Sequence, residues 1–477
     1  MRVALINPNP VHPPIAPLAL EFLAQALAEA GHEPRVIDLT PATGAAGVLA
    51  EGLSALDPGL IAITIRNTDD CFMARSQSYL AAHKAIVEAC RGASAAPIVL
   101  GGAGFSAAPR GSLAIIGADM GIVGDGELPL ALLADALARG EDCHDLPGLV
   151  LPGRDGHAPP ALGDVSQSQP LSWDHFDVRW YHEHGGQAGI ETKRGCMMGC
   201  VYCADPLGKG SRARLRPPGV VADEVERLAA MGITHLHWCD SEINLPPQHL
   251  LDVCHGLSRG GLGERIQWYG YASPAPFDAD LAAACARAGC AGINFGSDHA
   301  DPGMLQRLGR SHSAESIRAA TLACRDAGIA VMHDLLLGSP GETRESVAES
   351  IAFLKDLPAT CFGVSLGVRL YAGTSLARWV LGEASAASVH RPHHDHPLAG
   401  SDDDLALPVF YLEEGLGPGP AELVAECIGG DERFFFGGGV EAEADYNYGG
   451  NDLLTDAIAR GERGAYWHIL SRVRGLC

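Results

Sequence analysis

Positive charge is scarce in this chain: 34 Lys and Arg stand against 58 Asp and Glu, giving a formal net charge of -24 over 477 residues. Such a surface attracts neither a nucleic-acid backbone nor an anionic bilayer, so no nucleic acid and no membrane is expected as a partner. Long apolar runs are missing too, each being broken by Gly, Pro or charge before it reaches the length of a membrane span. Repeats at solenoid periods and long low-complexity tracts are absent. No secretion signal is expected at residues 1–8, which run straight into a strand pattern and stop at proline. What is present is a chain 47% apolar and long enough for two or three domains. Its 14 cysteines are diluted along that length, which fits a reducing cytoplasm better than a disulfide scaffold. A small molecule or a peptide is the expected substrate.

The one tight cysteine grouping is Glu191-Thr192-Lys193-Arg194-Gly195-Cys196-Met197-Met198-Gly199-Cys200-Val201-Tyr202-Cys203. A mononuclear zinc site normally closes with a fourth Cys or His at short spacing, and none follows within the next thirty residues. An iron–sulfur cluster held by three thiolates keeps one iron free for a small ligand. Gly195 and Gly199 are expected to free the backbone of a ligand loop.

The spacing C-x3-C-x2-C, with Tyr202 just before the last cysteine, resembles the radical S-adenosylmethionine (SAM) enzymes. The resemblance implies a [4Fe-4S] cluster on Cys196, Cys200 and Cys203 whose open iron chelates the amino and carboxylate groups of SAM.

Residues 1–140 alternate strand-like runs at 2–7, 34–39, 60–66, 97–100 and 121–123 with helical patterns, which predicts a doubly wound parallel sheet. Ligands of such sheets sit beyond the strand C-termini, and the unusual residues gather there: Asn7-Pro8-Asn9-Pro10, Arg66-Asn67-Thr68-Asp69-Asp70, Gly101-Gly102-Ala103-Gly104-Phe105-Ser106 and Gly124-Asp125-Gly126-Glu127. By itself the first glycine cluster suits a structural turn as well as a nucleotide loop. With the second cluster, and upstream of the triad, the set resembles the cobalamin-binding domain of class B radical SAM methylases, with likeness to the tryptophan C-methylases. The resemblance implies corrin contacts from Asn7, Asn67, Gly101, Gly102, Ser106, Gly124, Gly126 and Glu127. The Asp-x-His-x-x-Gly signature of many cobalamin domains is missing after the first strand, where Asn9-Pro10-Val11-His12 stands, so no histidine bond to cobalt is expected. Arg66 ends an apolar strand and needs a partner, for which Asp69 and Asp70 are the structural candidates. The likeness to the methylases implies instead that Arg66 lies under the corrin and leaves cobalt without a protein ligand.

Residues 141–185 are rich in Pro and Gly and read as a meandering linker, with Trp173, Trp180 and Tyr181 docking it onto the next domain. Over residues 186–385, strand-like runs at 233–238, 266–271, 292–296, 330–337 and 363–370 alternate with helices. Here the resemblance implies a partial (β/α)6 barrel with the cluster loop after its first strand. It also implies that Asp240 and Glu242 hold the SAM ammonium, and that Ser297 and Asp298 meet the ribose. Arg369 is open between the SAM carboxylate or substrate and a salt bridge at the barrel rim, while Arg307 and Arg310 read as surface charges. Residues 386–477 are expected to form a small α+β extension that caps the active site, with Tyr446 and Tyr448 as substrate-facing residues. Its histidine-rich stretch, His390, His393, His394 and His396, reads as a polar linker rather than a metal site.

The resemblance implies a cytoplasmic, oxygen-sensitive methyltransferase. SAM supplies a methyl group to cobalt and methylcobalamin passes it to a substrate carbon. An electron donor such as flavodoxin or ferredoxin serves the cofactors, and reductive cleavage of a second SAM is needed only for an unactivated carbon. Ring contraction or cyclisation on the same cofactors, and a non-catalytic cobalamin sensor, stand as alternatives.

Overall fold

Apolar residues alternate between the two faces of the first strands, and each face needs its own cover. In the computed structural model, which describes residues 1–154, 159–160, 162–394, 401–437 and 449–477, both covers are helical. Val3, Leu5, Leu60 and Ala62 pack with Leu20, Ala24, Leu130 and Leu133 of the helices Leu18–Glu29 and Glu127–Arg139. Ala4, Ile6, Ile61 and Ile63 pack on the opposite side with Leu49, Leu53, Leu80 and Val87 of the helices Ala45–Leu56 and Leu80–Ala93. Each fully buried Leu or Ile in these layers contributes about 1.5–3 kcal/mol.

The strands β1 (Arg2–Asn7), β2 (Glu33–Asp38), β3 (Leu60–Thr64), β4 (Ile98–Gly101), β5 (Met120–Ile122) and β6 (Leu149–Val150) stand in the order β2-β1-β3-β4-β5-β6. All pairs are parallel except β5 with β6. Strand β6 comes from the segment read as a linker, which also supplies the helix Val178–Gly185. Of the aromatics there, Trp173 joins the core of the second half, as expected, but the Tyr181 hydroxyl turns back to the first half, at 2.8 Å from Asp38 and 2.9 Å from Asn7.

The second half begins with β7 (Ala188–Ile190) and a short antiparallel ribbon of β8 (Lys193–Arg194) and β9 (Arg214–Leu215). It continues through β10 (His235–Trp238), β11 (Gln267–Ala272), β12 (Cys290–Asp298), β13 (Ala330–Leu337) and β14 (Cys361–Leu366), with helices between. Together with β7 these are the six parallel strands of the expected barrel. The predicted last strand, 363–370, is broken at Gly367, whose φ of +86° turns the chain into β15 (Val368–Arg369). A Cβ there would lie 2.6 Å from the Met73 sulfur of the first half. Strand β15 forms a separate ribbon with β16 (Val389–His390) and β17 (Phe410–Tyr411). The C-terminal extension does more than cap: β18 (Phe434–Phe436) pairs parallel with β14 as a seventh strand.

Alternation again separates two layers. Trp268, Val331, Phe362 and Phe434 belong to the large core under the helices, where Trp238 and Trp268 stack at 4.1 Å. Their neighbours Tyr269, Met332, Cys361 and Phe435 face the helices Asp452–Ala459 and Tyr466–Val473, which cover the sheet's other face. Tyr446 and Tyr448 lie outside the described residues.

Candidate active site

The C-terminal ends of the two sheets open into one shared cavity of about 870 Å³. Twelve of the expected site residues line it: Asn7, Arg66, Asn67, Gly101, Gly102, Ser106, Gly124, Gly126, Glu127, Cys203, Asp240 and Arg369. Cys196, Cys200, Glu242, Ser297 and Asp298 are not among the lining residues.

On the first side, close backbone packing shapes the loops. A Cβ on Gly102, whose φ is +104°, would sit 2.7 Å from the Ile65 carbonyl oxygen, and one on Gly104 would sit 3.0 Å from the Arg66 carbonyl carbon. The loop after β4 therefore presses on the end of β3 and holds Arg66 forward. Gly101 differs, because a Cβ there would meet nothing nearer than 3.8 Å. Ser106 accepts a hydrogen bond from the Gly124 N–H at 3.1 Å, which ties the two glycine loops together. Asn7 spends its amide on Asp38, Thr40 and Tyr181, and Glu127 pairs with Arg194 at 2.6 Å. What this wall offers a ligand is backbone, open space and the Arg66–Asn67 pair, joined at 2.7 Å.

Arg66 is exposed to the cavity and forms no ion pair with Asp69 or Asp70 among the described residues, which corrects the expectation of a buried, paired guanidinium. Asp69 instead takes Arg369 at 2.9 Å across the two halves, so of the two roles left open for Arg369 the structure holds the salt bridge. Asp70 accepts from the backbone N–H groups of Phe72 and Gln77. The Arg66 charge reaches His237, Cys239, Tyr271 and Tyr466 of the second half. Burial holds His237 down at about 4, so it faces the cavity as a neutral imidazole.

The cysteine loop follows β8. Gly195 has φ +85° and its missing Cβ would lie 2.1 Å from the Arg212 carbonyl oxygen, so only glycine lets the loop turn there. Gly199 has open space around it, contrary to expectation; the second obligatory glycine is Gly309, whose Cβ would lie 2.5 Å from the Gly199 oxygen. The three thiols influence one another electrostatically, and burial raises each of them, Cys203 to about 12. Iron binding must therefore displace protons. Among the described residues no group of His, Cys, Asp and Glu closes around a single metal ion. A cluster spreads its thiolates over separate irons, so this donor set fits a cluster.

Behind the loop, Arg310 is the hub that the sequence left on the surface. It is 9% exposed and donates to the Cys200 sulfur at 3.0 Å. It also pairs with Asp298 at 3.1 Å and Glu242 at 3.5 Å, and bonds the Gly296 carbonyl. Its position was invisible in sequence because it stands 110 residues from the cysteine it serves. Asp298, with φ +57°, also accepts from the Tyr202 hydroxyl at 2.6 Å, so the strained backbone at the end of β12 is held by the loop's own aromatic. Glu242 is pushed up to about 7 by burial against the pull of Arg310, and its Oε2 has no partner among the described residues. Asp240 is consumed by the Thr192 and Lys193 N–H groups at 2.9 and 3.2 Å and by the Thr192 hydroxyl. It braces the cysteine loop instead of standing free for an ammonium. Ser297 faces His333 at 2.7 Å and is fully buried there, away from any ribose in the cavity.

Lys193, His237, Tyr271 and Asn294 also line the cavity and were not singled out. A signal existed for His237: polar residues alternate in His235-Leu236-His237-Trp238, whereas a parallel strand covered on both faces reads apolar throughout. In the histidine-rich stretch, His393 meets the Ser76 carbonyl oxygen at 2.8 Å, and His396 lies outside the described residues.

Comparison with known proteins bears on this geometry. A family profile described as the B12 binding domain matches residues 6–134, and the Radical SAM superfamily profile matches residues 190–354. A tryptophan 2-C-methyltransferase from Streptomyces laurentii is 33% identical over 444 residues, covering 79% of this chain and 74% of that protein. A radical SAM methyltransferase from Kitasatospora setae, solved with tryptophan substrate and a SAM analogue bound, superposes with a TM-score of 0.91 at 32% identity, covering 100% of this chain and 98% of that one. The same methyltransferase was also solved with cobalamin and a [4Fe-4S] cluster bound, and matches with a TM-score of 0.88 at 30% identity. A cobalamin-dependent SAM radical enzyme with aqua-cobalamin and SAM bound shares the fold at 18% identity, with a TM-score of 0.64 over 74% of this chain and 51% of that one.

Proposed function

Because this chain belongs to the cobalamin-dependent radical SAM methyltransferases, we propose that it transfers a methyl group from SAM to an indole carbon of tryptophan or of a tryptophan-bearing small molecule. The observation that carries the substrate is the end-to-end match to a methyltransferase solved with tryptophan bound. Family membership in methyltransferases leaves the corrinoid sensor and the ring-contracting or cyclising readings without support.

Cobalamin, the cluster and SAM supply, respectively, a methyl-carrying cobalt, an iron–sulfur redox centre and the methyl donor. Cys196, Cys200 and Cys203 hold the cluster, and Arg310 neutralises the Cys200 thiolate. The glycine wall would admit the corrin, and Arg66, exposed to the cavity on that wall, would face it. Glu242, whose Oε2 has no hydrogen-bond partner among the described residues, would receive the SAM ammonium, while Asp240 positions the loop. Neutral His237 and Tyr271 form the opposite wall, where an aromatic substrate is held out of water. An indole carbon is electron-rich enough to accept a methyl group without hydrogen abstraction. An electron donor such as flavodoxin or ferredoxin would serve the cofactors. The 14 free cysteines support a reducing cytoplasm.

The test is anaerobic incubation of reconstituted protein with SAM and tryptophan, read by mass spectrometry. A product heavier by one methyl group, S-adenosylhomocysteine in equal amount and no 5′-deoxyadenosine are expected. Formation of deoxyadenosine in proportion to product would refute the radical-free route. An absorption spectrum showing a protein nitrogen under cobalt would refute the role of Arg66.

A further inference from the structure

Two cations follow one another in β8, and the fold treats them oppositely. Arg194 is enclosed by Glu127, Glu191 and Asp125 at 2.6, 2.7 and 3.4 Å. Lys193 is 2% exposed and lines the cavity, and its ammonium enters no hydrogen bond or ion pair among the described residues. The root of its side chain is fixed, since its N–H is held by Asp240 at 3.2 Å and the residue stands opposite Leu215 in the ribbon.

The acids around it are engaged elsewhere. Asp240 accepts from the Thr192 and Lys193 N–H groups, Asp205 from Lys209 and Ser241, and Glu242 pairs with Arg310. The Lys193 charge is still felt at Cys196, Asp205 and Glu242, so the ammonium stands where the cysteine loop meets the cavity. The ammonium is not among the buried unpartnered atoms, so it opens to the cavity, where a bound anion would gain a charge-assisted hydrogen bond. Three carboxylates close by disfavour a multiply charged anion such as phosphate. A zwitterion suits the place: its carboxylate meets Lys193, and its own ammonium is favoured by the carboxylates around the lysine.

We propose that Lys193 anchors an α-amino-acid carboxylate, that of the methionyl end of SAM or that of an amino-acid substrate, an inference that rests on the methyltransferase reading. It adds a binding residue that neither the cysteine motif nor the glycine loops contain.

The experiment measures equilibrium binding to the full-length, anaerobically reconstituted protein for two ligand pairs: SAM against decarboxylated SAM, and tryptophan against tryptamine. Wild-type protein is expected to favour the carboxylate member of at least one pair. Lys193→Met is expected to weaken that member about 10- to 100-fold while leaving its decarboxylated partner within about 2-fold, and Lys193→Arg to retain most of the preference. The pair that responds identifies the source of the carboxylate. Equal binding of both members in both wild-type pairs overturns the proposal, as does an unchanged preference in Lys193→Met. A Lys193→Met protein with altered iron content or cluster absorbance but an intact preference assigns the lysine to cluster charge alone and also overturns it. Loss of the cluster in both variants does the same, because a ligand anchor is not needed for iron uptake. If no methylated product forms while the SAM preference depends on Lys193, the functional reading fails and the anchor stands.

Discussion

The two walls of the cavity are built by opposite means. On the first side the chain removes side chains: Gly102 and Gly104 press backbone on backbone, and Gly101 leaves room where any other residue would project. On the second side it buries charge: Arg310 bonds Cys200 and pairs with Asp298 and Glu242, and Lys193 stands near them with no partner for its ammonium among the described residues. A corrin is a large, nearly neutral disc that asks for space and a flat approach. A cluster and a sulfonium amino acid carry charge in a low-dielectric setting and ask for fixed counter-charges. The two walls teach that neighbouring cofactors are recognised here by shape on one side and by electrostatics on the other.

That contrast can be broken from either side. The largest effect is expected from Cys203→Ala, which removes one thiolate: iron and sulfide content should collapse and methyl transfer should fall to background, while corrinoid binding survives because the first wall is untouched. Arg310→Met should come next. It leaves Asp298 and Glu242 facing each other at the buried cysteine loop, and about 3–5 kcal/mol of folding stability should be lost in urea titration, with a lowered cluster content. Gly101→Val sharpens the other side. Its added methyl groups project into the cavity and not into protein, so corrinoid affinity should drop about 10-fold or more, by absorbance titration, with a nearly unchanged unfolding midpoint. Equal damage to stability would show that the glycine serves folding alone.

The last effect concerns pH and draws mainly on the second half. Burial lowers His182, His235, His237, His312 and His468 to about 4 and His333 to about 3. Unfolded histidines take up protons near pH 6.5. As pH falls from about 6.5 toward 4 the unfolded chain binds protons that the folded one refuses, so stability should decline through that window. The slope is at most about 1.4 kcal/mol per pH unit for each histidine. Above about pH 7 these groups are neutral in both states, and thermal unfolding should show no histidine-dependent change there.

Much of the fold could be read before any coordinates. Strand patterns alternating with helical ones foretold both parallel sheets, because strands covered on both faces must be apolar throughout. Weak signals were lost where strands were short: Leu149–Val150 and Phe434–Phe436 have too few residues to show a period. At the site, the cysteine triad and the glycine loops were legible because their spacing is local. Arg310, Asp69 with Arg369, and Lys193 were not, since each acquires its meaning from what stands opposite. Arg369 and Asp69 are 300 residues apart. The partners of Asp240 and Ser297 were hidden in the same way: Thr192 and His333 hydrogen-bond the two side chains expected to meet SAM.

By itself the order of residues determined which cofactors this protein is equipped for, since three thiols within eight positions and glycines at two successive strand ends are chemistry that any folding of that stretch must carry. The tertiary structure decided how each charge is spent. An arginine, a lysine and two acids of similar promise became a hub, a free ammonium, a brace and an acceptor. The physical reason is that a buried charge is defined by its partners, and partners hundreds of residues away are chosen only when the two sheets meet.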